Sequence, residues 1–185
     1  INDAGNQINK FALSLDIRYR QHFGDNVEMP EDSYHGQDII DHAENFANKY
    51  SDKYLNTSEE ERRQALVDYA LPINIKGLEE DLLKYRIKYD TWFKESTLHN
   101  DGSVAEVIEL LKEKGYTYEQ DGALWFKSSE LGDDKDRVLI RANGVPTYSV
   151  PDIAYHYNKL VKRGFDTAID ILGADHHGYV PRTVS

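Results

Sequence analysis

The spacing of apolar residues changes at Gly115, and that change limits the folds open to the chain. Before it, the period is helical. Ile8, Phe11, Leu15 and Tyr19 recur on one face and predict an amphipathic helix that finishes near Gly24. Residues 25–33, with Pro30, read as a loop, and Ile39, Ile40, Ala43, Phe46 and Ala47 predict a second helix ending about Tyr50. Ser58 followed by Glu61 is a capping-box pattern ahead of Ala65, Leu66 and Tyr69, and Leu78, Leu82, Leu83 and Ile87 predict a fourth helix. Ser103 with Glu106 repeats the capping pattern before Val104, Val107, Ile108 and Leu111, with Gly115 as the stop.

After Gly115 the pattern suits strands. Tyr116, Thr117 and Tyr118 lead into Asp121-Gly122, a hairpin signal, and Leu124-Trp125-Phe126 answers as the return strand. Val138-Leu139-Ile140 predicts another short strand. Ser149, Pro151 and Asp152 open a helix to about Arg163, and residues 168–172 predict a buried strand leading to Gly173. A closing strand, helix and strand in that order is what a parallel α/β sheet produces.

Composition narrows the function classes. With 33 acidic against 22 basic side chains the net charge is −11, so the chain as a whole repels phosphate backbones and any nucleic-acid contact is local. No apolar run approaches the roughly 20 residues of a spanning helix, and no apolar leader opens the chain. Cysteine is absent, which excludes disulfides and thiolate chemistry and accords with a cytosolic address. The ends, Ile1 running straight into a turn and a stop soon after Gly178, read as cuts through a larger protein.

Four segments have the residue types for chemistry, and each has an ordinary explanation. Asp3-Ala4-Gly5-Asn6-Gln7 lies at a turn into a helix, where a sheet's ligand crevice would fall, but a plain helix start accounts for it equally. Glu95 follows Tyr89, Trp92 and Phe93; beside aromatic rings a carboxylate can take a guanidinium through two charge-assisted bonds, or simply face solvent. Asp152 stands one turn beyond Tyr148, and a helix dipole alone stabilises an acidic residue there by roughly 0.3–1 kcal/mol. Asp175-His176-His177-Gly178 invites a metal reading, although adjacent side chains diverge on most backbones and suit a single ion poorly.

In this order the four segments resemble the catalytic region of arginyl-tRNA synthetases, class I enzymes of translation. The resemblance runs along essentially the whole chain. It is most specific between Asp121 and Arg182, in Gly122-Ala123-Leu124-Trp125-Phe126-Lys127 and Arg141-Ala142-Asn143-Gly144-Val145-Pro146-Thr147-Tyr148. Tyr34-His35-Gly36-Gln37-Asp38-Ile39 adds to it.

The resemblance implies a parent enzyme that activates L-arginine with ATP and Mg2+ and transfers it to tRNA(Arg) in the cytoplasm. It implies that Glu95, Tyr148, Asp152 and His176 hold the arginine, His176 standing where other members often have Gln, and that Asp3, Gly5 and Gln7 lie near the reaction centre. No catalytic residue, resident metal or tightly bound cofactor is expected in this chain. The family's His-x-Gly-His-like and Lys-Met-Ser-Lys-Ser-like signatures find no counterpart in it, so the fragment is expected to be inactive alone. The expected fold is α/β: part of a Rossmann-like parallel sheet from residues 1–24 and 142–185, interrupted by a mainly helical connective insertion, residues 25–141, with a small antiparallel β element. Incomplete sheet edges would let two copies pair as an effect of truncation.

Two other readings remain. One is a metal-dependent phosphoesterase using Asp175-His176-His177 with Asp134-Lys135-Asp136, although the latter sits in a run that reads as a loop. The other is a folded module that binds nothing.

Overall fold

The computed structural model describes Ile1 and residues 3–174, which fall into two compact units, Ile1–Lys94 and Glu95–Ser185.

The first unit is built from three helices, α1 (Asn6–His22), α2 (Gln37–Tyr50) and α3 (Glu59–Lys84). Gly5 precedes α1 with φ 79°, a left-handed setting that a side chain would resist. The predicted faces meet as the periodicity requires: Phe11, Leu15 and Tyr19 of α1 pack with Ile39, Ala43, Phe46 and Ala47 of α2 and with Leu66, Val67 and Ala70 of α3. Tyr19 and Phe46 meet edge to face at 5.3 Å. The buried Tyr19 hydroxyl donates to the Ser51 carbonyl at 2.6 Å, so its polar tip is satisfied inside the core.

Charge also enters this core. Asp16, fully buried, accepts from Arg62 Nε at 2.5 Å and from Arg63 Nε at 3.3 Å, tying α1 to the first turns of α3. Arg62 is itself buried and gives a further bond to the Thr57 carbonyl at 3.2 Å. The α3 start forms as its capping pattern predicts, with Ser58 Oγ accepting from the Glu61 amide at 3.1 Å.

Two helices were expected between residues 59 and 87, but α3 is continuous through Pro72. Proline removes one N–H from the ladder, which usually breaks a helix. Here Pro72 and Asp68, whose carbonyl loses that partner, both lie on the exposed side, where water can take the missing bond. The apolar residues that suggested a separate helix, Leu78 and Leu83, are about half exposed.

The second unit comprises α4 (Glu95–Asn100), α5 (Ser103–Glu113), an antiparallel sheet of β1 (Thr117–Gln120), β2 (Ala123–Phe126) and β3 (Arg137–Ile140), and α6 (Ser149–Tyr157), which runs on into a π turn, Asn158–Lys162. Asp121 and Gly122, at φ 52° and 74°, make the tight turn that their sequence signalled. Buried Leu124 and Leu139, with Leu98, Val104, Val107, Ile108, Val150 and Ala154, supply the apolar interior. The β2–β3 loop is fastened from within. Arg137 grips Asp133 through two bonds of 2.7 Å, and Ser128 Oγ donates to the Lys135 carbonyl at 2.8 Å.

Two expectations need correction here. The predicted capping box at Ser103 does not form: Gly102 occupies the cap, Asp101 accepts from the Ser103 amide at 2.9 Å, and Ser103 Oγ accepts from Lys162 instead. Residues 168–172 are not a buried strand, with Ile169 83% and Ile171 95% exposed. The reason is one of pairing, since no described strand lies beside them to take their backbone N–H and C=O groups, and the sheet among the described residues is wholly antiparallel.

Replacing Asp16 by Ala strands the buried Arg62 cation. Equilibrium urea unfolding of the chain is expected to show a loss of about 3–5 kcal/mol, whereas a loss no larger than that of a surface ion pair would mean that Asp16 is not the fixing contact.

Candidate functional site

α6 begins at a point prepared by sequence: Pro151 sits in its first turn, where its lacking N–H costs nothing, and Asp152 follows it. Val150, Pro151 and Ala154 are buried, which fixes the turn against the interior. Asp152 is thereby drawn partly out of water. α4 packs against α6 and starts with Glu95, half-buried, so a second carboxylate acts on the first.

The two effects add. Burial first, and then the negative charges of Glu95 and Asp170, push the Asp152 carboxyl up to about 6, against the smaller opposing pull of His156 and Lys159. Asp133, in the same unit, goes the other way, because the Arg137 guanidinium holds its carboxyl well below the usual carboxylate range.

Tyr148 immediately precedes α6 and is 66% exposed. Glu95, Tyr148 and Asp152 all belong to the second unit; Asp3, Gly5 and Gln7 belong to the first, at the entry to α1. There Asp3 donates its amide to the Ile1 carbonyl at 3.1 Å and borders an open groove of about 670 Å³, along with Asn9, Glu59, Glu60, Arg63 and Gln64. Gly5 and Gln7 do not line that groove. His176, with Asp175 and His177, lies outside the described residues.

Residues that the sequence reading missed surround Asp152. His156 Nδ1 lies 2.9 Å from the Asp152 carbonyl, its Nε2 lies 2.7 Å from Asp170, and Lys159 Nζ reaches the other Asp170 oxygen at 2.7 Å. The signal was available, since 152, 156 and 159 share one helix face by spacing alone.

Among the described residues, no three His, Asp or Glu side chains gather to hold a metal ion. Asp134 and Asp136, the second cluster of the phosphoesterase reading, have structural work: Asp134 pairs with Arg137, and Asp136 accepts from the Ser129 amide at 3.1 Å and from the Tyr118 hydroxyl at 3.0 Å. No described helix is long and apolar enough to cross a membrane.

No family model matches the chain. Over 97% of its length it is 58% identical to an arginine–tRNA ligase of Caldanaerobacter subterraneus, of which it covers 32%. The chain matches arginine–tRNA ligases along essentially its whole length. An arginine–tRNA ligase of Acetivibrio thermocellus is 54% identical over 98% of the chain, again covering 33% of the relative. The fold agrees, because a crystal structure of an arginyl-tRNA synthetase from Campylobacter jejuni superposes over 98% of the chain with a TM-score of 0.86 at 39% identity, 39% of that protein being covered. The chain therefore spans about a third of the length of the curated arginine–tRNA ligases it matches. The phosphoesterase reading finds no support in this kinship.

The raised Asp152 has a measurable signature. A carboxyl lifted on folding stabilises the protein while it is protonated, and that contribution is lost as pH rises through the folded value of about 6. The urea midpoint of Asp152→Asn should therefore climb relative to the unaltered chain between about pH 4 and pH 7 and then level off. Parallel midpoints across that window would contradict the burial described here.

Proposed function

We propose that this chain is the amino-acid-recognising portion of an arginine–tRNA ligase, the enzyme that joins L-arginine to tRNA(Arg) with ATP. Glu95, Tyr148 and Asp152 receive the arginine's guanidinium and α-ammonium, His176 completes the pocket, and Asp3, Gly5 and Gln7 stand near the reaction centre. The observation that carries this reading is the Glu95–Asp152 pair, a partly dry site in which burial first, and then the charge of Glu95, lifts Asp152 to about 6. A planar cation with five donors relieves that repulsion and replaces lost hydration with paired bonds. Arg137 already does so for Asp133 in the same unit.

The described residues around Asp152 do not fit ATP or its Mg2+. Glu95, Asp152 and Asp170 repel a triphosphate, and the nearby cation Lys159 is engaged by Asp170. No step through ATP is assigned to them, and the groups that stabilise the phosphoryl centre belong to other parts of a ligase. On this reading residues 1–24 and 142–185 contribute to a Rossmann-like catalytic domain with a parallel sheet, residues 25–141 form its connective insertion, and the enzyme works in the cytoplasm. Pairing of isolated copies, where it occurs, is an effect of exposed sheet edges.

The test is amino-acid-dependent ATP–pyrophosphate exchange by a full-length ligase containing this region, with tRNA supplied. Exchange is expected with arginine, and none from the isolated chain. Exchange that requires a different amino acid would overturn the assignment.

A further inference from the structure

In the segment after the π turn Ile169 and Ile171 are exposed, whereas the Asp170 side chain meets the α6 residues and keeps about a third of its surface in solvent. Its two carboxylate oxygens are used separately, Oδ2 by His156 Nε2 and Oδ1 by Lys159 Nζ, each at 2.7 Å. Lys159 is held from its other side by the Tyr155 ring, 4.8 Å away, and keeps only 14% of its side chain exposed.

The ring of His156 has an oxygen at each nitrogen. The Asp152 carbonyl lies 2.9 Å from Nδ1 and Asp170 Oδ2 lies 2.7 Å from Nε2, with Lys159 Nζ also 3.4 Å from Nε2. His156 is therefore clamped between Asp170 and the first turn of α6, one helical turn from Asp152.

We propose that Asp170 is a positioning residue for Asp152, acting through the clamped His156 and the neighbouring Lys159. It fixes the α6 turn from which the Asp152 carboxylate projects and keeps compensating positive charge beside it. This rests on the reading of Asp152 and Glu95 as the guanidinium site.

The charges acting on Asp152 come from three elements: Glu95 on α4, His156 and Lys159 on α6 and its π turn, and Asp170 on the extended segment. Glu95 and Asp170 raise its carboxyl, and His156 and Lys159 lower it. Substituting neutral glutamine for His156 thus removes a restraint, and the acid limb of arginine recognition should move to higher pH.

The experiment uses full-length ligase containing this region and follows arginine kinetics from about pH 5 to pH 8. Asp170→Asn keeps the side chain's volume and is expected to raise the arginine KM roughly ten- to a hundredfold, with kcat changed far less. Asp170→Glu should recover most of that loss, and His156→Gln should shift the acid limb upward. An unmoved acid limb, or an Asp170→Asn KM equal to wild type while Asp152→Asn raises KM, overturns the positioning role. If Asp152→Asn itself leaves the arginine KM unchanged, the guanidinium site fails, and the positioning role with it.

Discussion

A carboxylate taken out of water must find a cation or keep a proton, and much of this chain's architecture follows from that rule. Asp16 meets it with Arg62 and Arg63, which makes α1 and α3 a fixed pair before apolar packing is considered. Asp133 meets it with Arg137, and a surface loop becomes a rigid joint between β2 and β3. Asp152 is the third case. Burial and the charge of Glu95 raise its carboxyl to about 6, so its environment leans toward the proton.

The rule also explains how one unit can carry partly withdrawn carboxylates and still hold together. The first turn of α6 is secured by buried Val150, Pro151 and Ala154, so the cost of withdrawing Asp152 is borne by apolar contacts nearby. Glu95 comes from a different helix, only six residues long, that is anchored by the buried Leu98. Two carboxylates on separately anchored elements can be held close although they repel each other.

The helices were legible in sequence because their apolar spacing is strong: the faces read from Phe11, Leu15, Tyr19, Ile39, Ala43 and Phe46 are those that meet in the core. The hairpin was legible from Asp121-Gly122, whose backbone demands few alternatives. Glu95, Tyr148 and Asp152 stood out through family resemblance more than through physics, since each has an ordinary local explanation. Three features were hidden for distinct reasons. Pro72 masks a continuous helix because propensity cannot tell that its face is wet; Ser103 mimics a cap because only the geometry shows Gly102 taking that place; and 168–172 mimics a buried strand because composition does not report whether a partner strand is at hand. The Asp170 contacts are not legible in a run that reads as a buried strand, because spacing alone does not bring it to His156 and Lys159.

The exposure of Ile169 and Ile171 has a practical side. Two large apolar side chains so exposed, with no described strand beside them, make an adhesive surface. Because Ile169 and Ile171 are almost wholly in solvent while Asp170 holds His156 and Lys159, polar residues introduced at 169 and 171 would blunt that surface and leave the Asp170 contacts in place. Solubility can therefore be tuned here apart from the contacts that tie this segment to α6 and its π turn.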